Sequence, residues 1–126
     1  MVLDTSALVA ILLGEPEAPR FAEAIDAATS CLLSAASLLE ASIVVETRKG
    51  EVAGRELDLL IYRAGIEIVP VDQEQTEIAR DAWRRFGKGR HRAALNYGDC
   101  IAYALAKVSG APLLFKGDDF SHTDLD

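Results

Sequence analysis

MVLDTSALVAILL, residues 1–13, is the stretch that decides the fold. Val2 and Leu3 form a short apolar run, Asp4 interrupts it, and Thr5 to Leu13 continues with apolar residues dense enough for a buried helix. The segment reads as a buried strand turning straight into a helix. It is too short for the ~20 residues of a membrane span, contains an acid and lacks a basic leader, so a soluble protein is expected, with no membrane partner.

Working outward, three more short apolar runs stand at Cys31 to Leu33, Glu67 to Val71 and Leu113 to Phe115. None alternates with polar residues, which points to parallel strands covered on both faces. Twenty alanines against four prolines favour helix in the intervals, and capping residues bound helices over about 5–13, 17–28, 36–48, 52–64, 73–86 and 97–109. Strands alternating with helices make the expected architecture a three-layer α/β/α sandwich around a mainly parallel sheet. No repeat or linker divides the chain, so a single domain over 1–126 is expected. In such sheets chemistry belongs beyond the carboxyl ends of the strands.

The 126 residues are 50% hydrophobic and 26% charged, which excludes disorder as the main state. Cys31 and Cys100 are far apart and not in CxxC spacing, so neither a structural zinc nor a disulfide framework is indicated and a reducing cytoplasm is expected. A net charge of -7 argues against non-specific coating of nucleic acid. That charge is unevenly spread: residues 80–92, RDAWRRFGKGRHR, hold six of the 13 Lys and Arg with one acid. An acidic body carrying one basic segment suggests a local anionic partner. The alternative is a solvated helix end whose cations suit the helix dipole.

Four carboxylates stand in unusual places. Asp4 lies where the first strand gives way to a helix, among residues that should be buried. Glu40, in ASLLEASIVVE, has Ile43 and Val44 at i+3 and i+4 and so falls along an apolar stripe. Asp99 has Ala102 and Ala106 on its face, small enough to let that helix pack closely. Asp118 or Asp119 follows the last apolar run. Each has a plain structural reading: Asp4 as an N-cap, Ser37 to Glu40 as an S-x-x-E capping box, Asp99 in the cap of the last long helix, and the Asp118-Asp119 pair as turn formers. Taken together they converge on the crevice end of the sheet, where they would repel one another unless a cation held them. An all-oxygen set without His or Cys selects Mg2+ or Mn2+, ions that act on phosphates. Arg84, Arg85, Lys88, Arg90 and Arg92 are then candidates to hold the flanking phosphates of a nucleic acid chain.

These residues resemble the PIN-domain ribonucleases, and within them the VapC toxins of bacterial type II toxin-antitoxin systems. MVLDTSALVAIL looks like that family's first strand with its D-x-S/T motif, SAASLLEAS like its second acidic position, LNYGDCIAYALAK like its third, and PLLFKGDDFSHTDL like its last strand with the G-x-D-F motif. The resemblance runs from about residue 2 to residue 125. It implies a Mg2+-dependent or Mn2+-dependent endoribonuclease with an RNA substrate, silenced by a cognate antitoxin and commonly a homodimer. It further implies Asp4, Glu40, Asp99 and Asp119 as the acidic tetrad, and Ser6 as the hydroxyl orienting Asp4 or a water at the metal. Asp119 is chosen over Asp118 because it precedes Phe120 in the motif. Family-typical cleavage would leave a 3'-hydroxyl and a 5'-phosphate.

Other small acidic α/β enzymes fit less well: a receiver domain needs an acidic pair after the first strand, and a haloacid-dehalogenase-type phosphatase needs an aspartate where Ser6 stands. A catalytically silent PIN-like module that binds RNA or antitoxin is the non-enzymatic alternative. For an antitoxin, the apolar side chains Leu38, Leu39, Ile43, Val44, Leu57, Leu59, Leu60 and Ile61 exceed what two helices ordinarily need for one core face. Any groove left among them would suit an amphipathic helix.

Overall fold

A computed structural model describes residues 1–125; Asp126, the last residue of the expected 1–126 domain, lies outside the described residues. Four strands, β1 (Val2–Leu3), β2 (Leu32–Ser34), β3 (Glu67–Val69) and β4 (Leu113–Leu114), form one parallel sheet in the order β3-β2-β1-β4. Val2 pairs with Leu32 on one side and Leu113 on the other, and Leu33 pairs with Ile68. Six helices fill the connections: α1 (Thr5–Leu12), α2 (Ala18–Ala27), α3 (Ala35–Lys49), α4 (Glu51–Ala64), α5 (Gln73–Phe86) and α6 (Tyr97–Ser109). The expected α/β sandwich is the observed one.

Side chains alternate across the sheet as the pleat requires. Leu3 and Leu33 face a core built with Leu8, Ile25, Ala41 and Leu57 from α1 to α4. Val2 and the neighbouring Leu32 and Leu113 face Leu105 and Ala106 of α6 on the other side. Because both faces are covered, the strands lack the in-out polarity pattern of a half-exposed sheet.

Helix boundaries follow capping chemistry. Asp4 accepts a hydrogen bond from the Ser6 N–H at the start of α1, Asp72 from Gln75 at the start of α5, and Asn96 and Asp99 form a reciprocal capping box on α6. α3 departs from the capping-box reading of Ser37 to Glu40. Its N-cap is Ser34, which accepts from the Ala36 N–H at 3.3 Å, so Ser37 and Glu40 both lie inside the helix. Gly50, at φ 76°, is the single residue between α3 and α4 and gives the left-handed turn that lets one helix end and the next begin.

β1, β2 and β3 step one way across the sheet, and β4 returns to the opposite side of β1. The chain therefore reverses between β1 and β4, the place where such a sheet opens a crevice beyond its carboxyl ends. Asp4 directly follows β1 there, and its N–H extends the pairing to Leu114 O at 2.9 Å. No helix among the described residues is long and apolar enough to cross a membrane.

Candidate active site

Three consecutive residues after β1 organise the crevice. The Asp4 carboxylate accepts from the Ser6 N–H at 3.0 Å and from the Ser6 hydroxyl at 2.5 Å. Ser6 Oγ in turn accepts from the Lys116 N–H at 2.9 Å, which ties the chain after β4 to the start of α1. Thr5 Oγ1 donates to Glu40 Oε1 at 2.7 Å and so joins α1 to α3. Asp4 is the cap of its helix, and that bond leaves it a candidate site carboxylate as well.

Asp4 is 5% exposed. Burial pushes its carboxyl above the usual range, the Ser6 hydrogen bonds pull it back, and the charge of Glu40 raises it again. Asp99, whose Oδ2 accepts from the Asn96 N–H at 3.0 Å, is pushed up to about 6. Burial is the largest cause, opposed by the Asn96 backbone bond and reinforced by the charges of Asp4, Asp119 and Glu40. Four carboxylates from four separate parts of the chain thus share one electrostatic neighbourhood.

Asp119 opens the 3-10 turn Asp119–His122 at the exposed rim of this neighbourhood. Asp118 turns away, its side chain 82% exposed and its Oδ2 3.8 Å from His122 Nε2. Phe120, next in the chain, is buried and packs edge-on against Phe115, anchoring the turn.

A group missed in the sequence is Gly98. A Cβ placed there would lie 2.5 Å and 2.6 Å from the two Glu40 carboxylate oxygens. The bare backbone of α6 is what allows Glu40 to approach beside Asp99. Thr5 is a second such group, and its one signal in the sequence is a hydroxyl next to Asp4 in an otherwise apolar stretch.

The donor set fits a hard divalent cation in chemistry: oxygen ligands, mutual repulsion, and a buried Ser37 hydroxyl without a partner among the described residues in the hollow lined by Glu40. As placed, no three His, Cys, Asp or Glu side chains among the described residues are grouped tightly enough to hold an ion. Asp4, Glu40 and Asp99 instead spend acceptors on Ser6, Thr5 and Asn96.

The basic candidates divide. Arg84 and Lys88 line a groove along α5 and the start of α6, and Arg90 stacks over the Trp83 ring beside it, 4.1 Å from the centroid. Arg92 is exposed. Arg85 lies apart from these: it reaches Asp81 at 3.5 Å and Asp124 at 3.4 Å on another face, where its place on α5 turns it toward Tyr103 and Lys107.

Among known proteins, the PIN domain family matches residues 1–125. The chain is 58% identical over 125 residues to VapC ribonuclease Mb0640 of Mycobacterium bovis, covering 99% of this chain and 95% of that protein. It is also 58% identical over 125 residues to Ribonuclease VapC of Mycolicibacterium smegmatis, covering 99% and 97%. In fold it is similar to the Mycobacterium tuberculosis toxin VapC20, described as Sarcin-Ricin loop cleaving, with a TM-score of 0.80 at 18% identity over 99% of this chain and 95% of that one. A toxin-antitoxin complex from Klebsiella pneumoniae matches with a TM-score of 0.72 at 18% identity, covering 98% and 92%.

Proposed function

We propose, from the premise that this chain belongs to the PIN-domain family, that it is an endoribonuclease toxin of the VapC kind, hydrolysing RNA phosphodiester bonds and held inactive by a cognate antitoxin. The observation that carries the reading is the convergence of Asp4, Glu40, Asp99 and Asp119 at the point where the sheet reverses. Asp4, Glu40, Asp99 and Asp119 would hold Mg2+, with Mn2+ as a substitute. Such an ion supplies Lewis acidity and a water of lowered pKa, the means of attacking a phosphodiester at neutral pH.

The protein's own part is positioning. Ser6 fixes Asp4, Thr5 fixes Glu40, and Asn96 fixes Asp99, so the carboxylates are held by short bonds to backbone or hydroxyl groups rather than left to rotate. Ser6 also links Asp4 to Lys116, in the segment between β4 and the turn that carries Asp119, which ties the two sides of the crevice together. With no cation present, Asp99 takes up a proton as pH falls through about 6, well above the ordinary range, and a metal would displace that proton. Cleavage of this class leaves a 3'-hydroxyl and a 5'-phosphate.

For the antitoxin, the exposed members of the apolar set are Leu39, Ile43 and Leu59, whereas Leu57 is buried and Leu38, Leu60 and Ile61 pack against the core. Leu39, Ile43 and Val44 line a hollow of about 250 Å3 with Glu40 and Tyr97. An amphipathic antitoxin helix seated there would bring a cationic side chain to Glu40 and neutralise the site. A homodimer and a cytoplasmic location belong to the same reading.

Incubating the purified protein with RNA in Mg2+ or Mn2+, and again in EDTA, tests the activity. Ion-dependent internal cleavage is expected, and binding without cleavage under every ionic condition would favour the silent RNA-binding or antitoxin-binding module.

A further inference from the structure

Beside the acidic cluster, α5 and the start of α6 enclose a groove of about 580 Å3, within the range of sites that take flat organic ligands. Its apolar surface includes Val71 and Leu95, its aromatic surface comes from Trp83 and Tyr97, and its cations are Arg84, Lys88 and Arg80, the last of which is paired with Glu77. Trp83 is 45% exposed and Tyr97 80% exposed, whereas Phe21, Phe86, Phe120 and Tyr103 are buried; Tyr62 of α4 is exposed too but lies outside this groove. Trp83 is also held in place. Arg90 stacks over its ring, and Gly87 seats its pyrrole edge so closely that a Cβ there would lie 2.6 Å from the ring. Arg84, Lys88 and Arg90 have no carboxylate partner within ion-pair distance among the described residues, although the chain carries a net charge of -7. In an acidic protein, cations left unpaired around exposed aromatic rings complement a ligand that is both flat and anionic.

The groove is continuous with the site. Tyr97 lines both this groove and the hollow containing Glu40, and Asn96, which caps Asp99, lines the groove as well. We propose that the groove is a nucleotide subsite of the RNA substrate: an unstacked base lies against Trp83 and Tyr97, Arg84 and Lys88 hold the adjoining phosphates, and the scissile bond is thereby delivered to the carboxylates. This rests on the ribonuclease reading and deepens it, making Trp83 and Tyr97 specificity-determining residues. It also selects single-stranded RNA, since only an unpaired base exposes its face for stacking.

Trp83 is the one tryptophan of the chain, so its fluorescence reports on this groove alone. In EDTA, a random-sequence single-stranded 12-nucleotide RNA should quench it saturably, and a duplex of the same length should quench it far less. In Mn2+, Trp83→Leu should raise KM for single-stranded RNA about 5-fold to 100-fold with kcat little changed, the span that loss of one base–aromatic stack covers, and Trp83→Phe should restore most of it. Labelled-RNA anisotropy gives the affinity of the variants. Quenching without cleavage by the wild type would uphold the groove while overturning the ribonuclease reading. Cleavage with fluorescence unmoved by RNA, and KM unchanged in Trp83→Leu, would overturn the groove and leave the ribonuclease reading intact. Fluorescence that changes with protein concentration but not with RNA would assign the groove to a second copy of the chain and equally overturn the proposal.

Discussion

Thr5 and Gly98 place Glu40 as surely as Glu40's own backbone does, one by donating to its carboxylate at 2.7 Å and the other by leaving room for it. Gly98→Ala therefore separates stability from chemistry. Alanine in the first turn of α6 favours the helix by up to about 1 kcal/mol, while its methyl group must displace the Glu40 carboxylate. Equal or raised Tm with cleavage reduced by about 100-fold is the expected pair of results, since small misplacements of a catalytic group cost that much. Asp99 gives a pH dependence. Its folded pKa of about 6 lies above the ordinary 3.8, so its favourable contribution is complete at low pH and is lost as pH rises through about 6. Without divalent ions the protein should lose thermal stability between about pH 4 and pH 6, and Asp99→Asn should flatten that decline. Thermal melts in EDTA across this range check it.

At the scale of elements, the strands and helices were legible because each is bounded by a capping or turn residue and each strand is an uninterrupted apolar run. Asp72, Asn96 and Gly65 stand where the helices they bound begin or end. The expected helix over about 36–48 agrees with α3, and only the capping-box reading of Ser37 to Glu40 fails, because Ser34 and Ser37 are both competent caps and the end of β2 at Ser34 decides between them. The acidic residues could be named from sequence, but their supports could not: the Thr5 to Glu40 and Ser6 to Lys116 bonds join residues 35 and 110 positions apart. The same holds for the basic segment, where helical phase alone sends Arg85 to Asp124 while Arg84 faces the groove. The two faces should differ in RNA binding. Arg84→Ala with Lys88→Ala should flatten the salt dependence of affinity by roughly 1.4 slope units, at about 0.7 per phosphate contact. Arg85→Ala should weaken RNA binding less than Arg84→Ala. Titrations at several salt concentrations compare them.

Across the whole molecule, charge and topology act together. The order β3-β2-β1-β4 opens a crevice beside β1, and the chain sends an acid to it from β1, α3, α6 and the turn after β4. The acidic cluster and the basic groove then lie side by side, joined by Tyr97. One would attract a cation and the other a phosphate chain. A cation should also stabilise the fold, because it binds only where the carboxylates are assembled. Mn2+ should therefore raise the Tm of the wild type by more than that of Asp4→Asn, and differential scanning calorimetry with and without the ion tests this.

The central claim is that these carboxylates form an ion-dependent ribonuclease centre, and Asp99→Asn tests it most directly. The amide oxygen can still accept the Asn96 N–H and keep the capping box, so the change removes charge while leaving α6 intact. RNA cleavage and Tm should be measured together for wild type and variant, in Mn2+ and in EDTA. The account predicts cleavage by the wild type in Mn2+ alone, and a loss of about 100-fold or more in the variant with Tm unchanged or higher in EDTA. Cleavage that persists in EDTA, or an Asp99→Asn protein that cuts RNA at the wild-type rate, would contradict it.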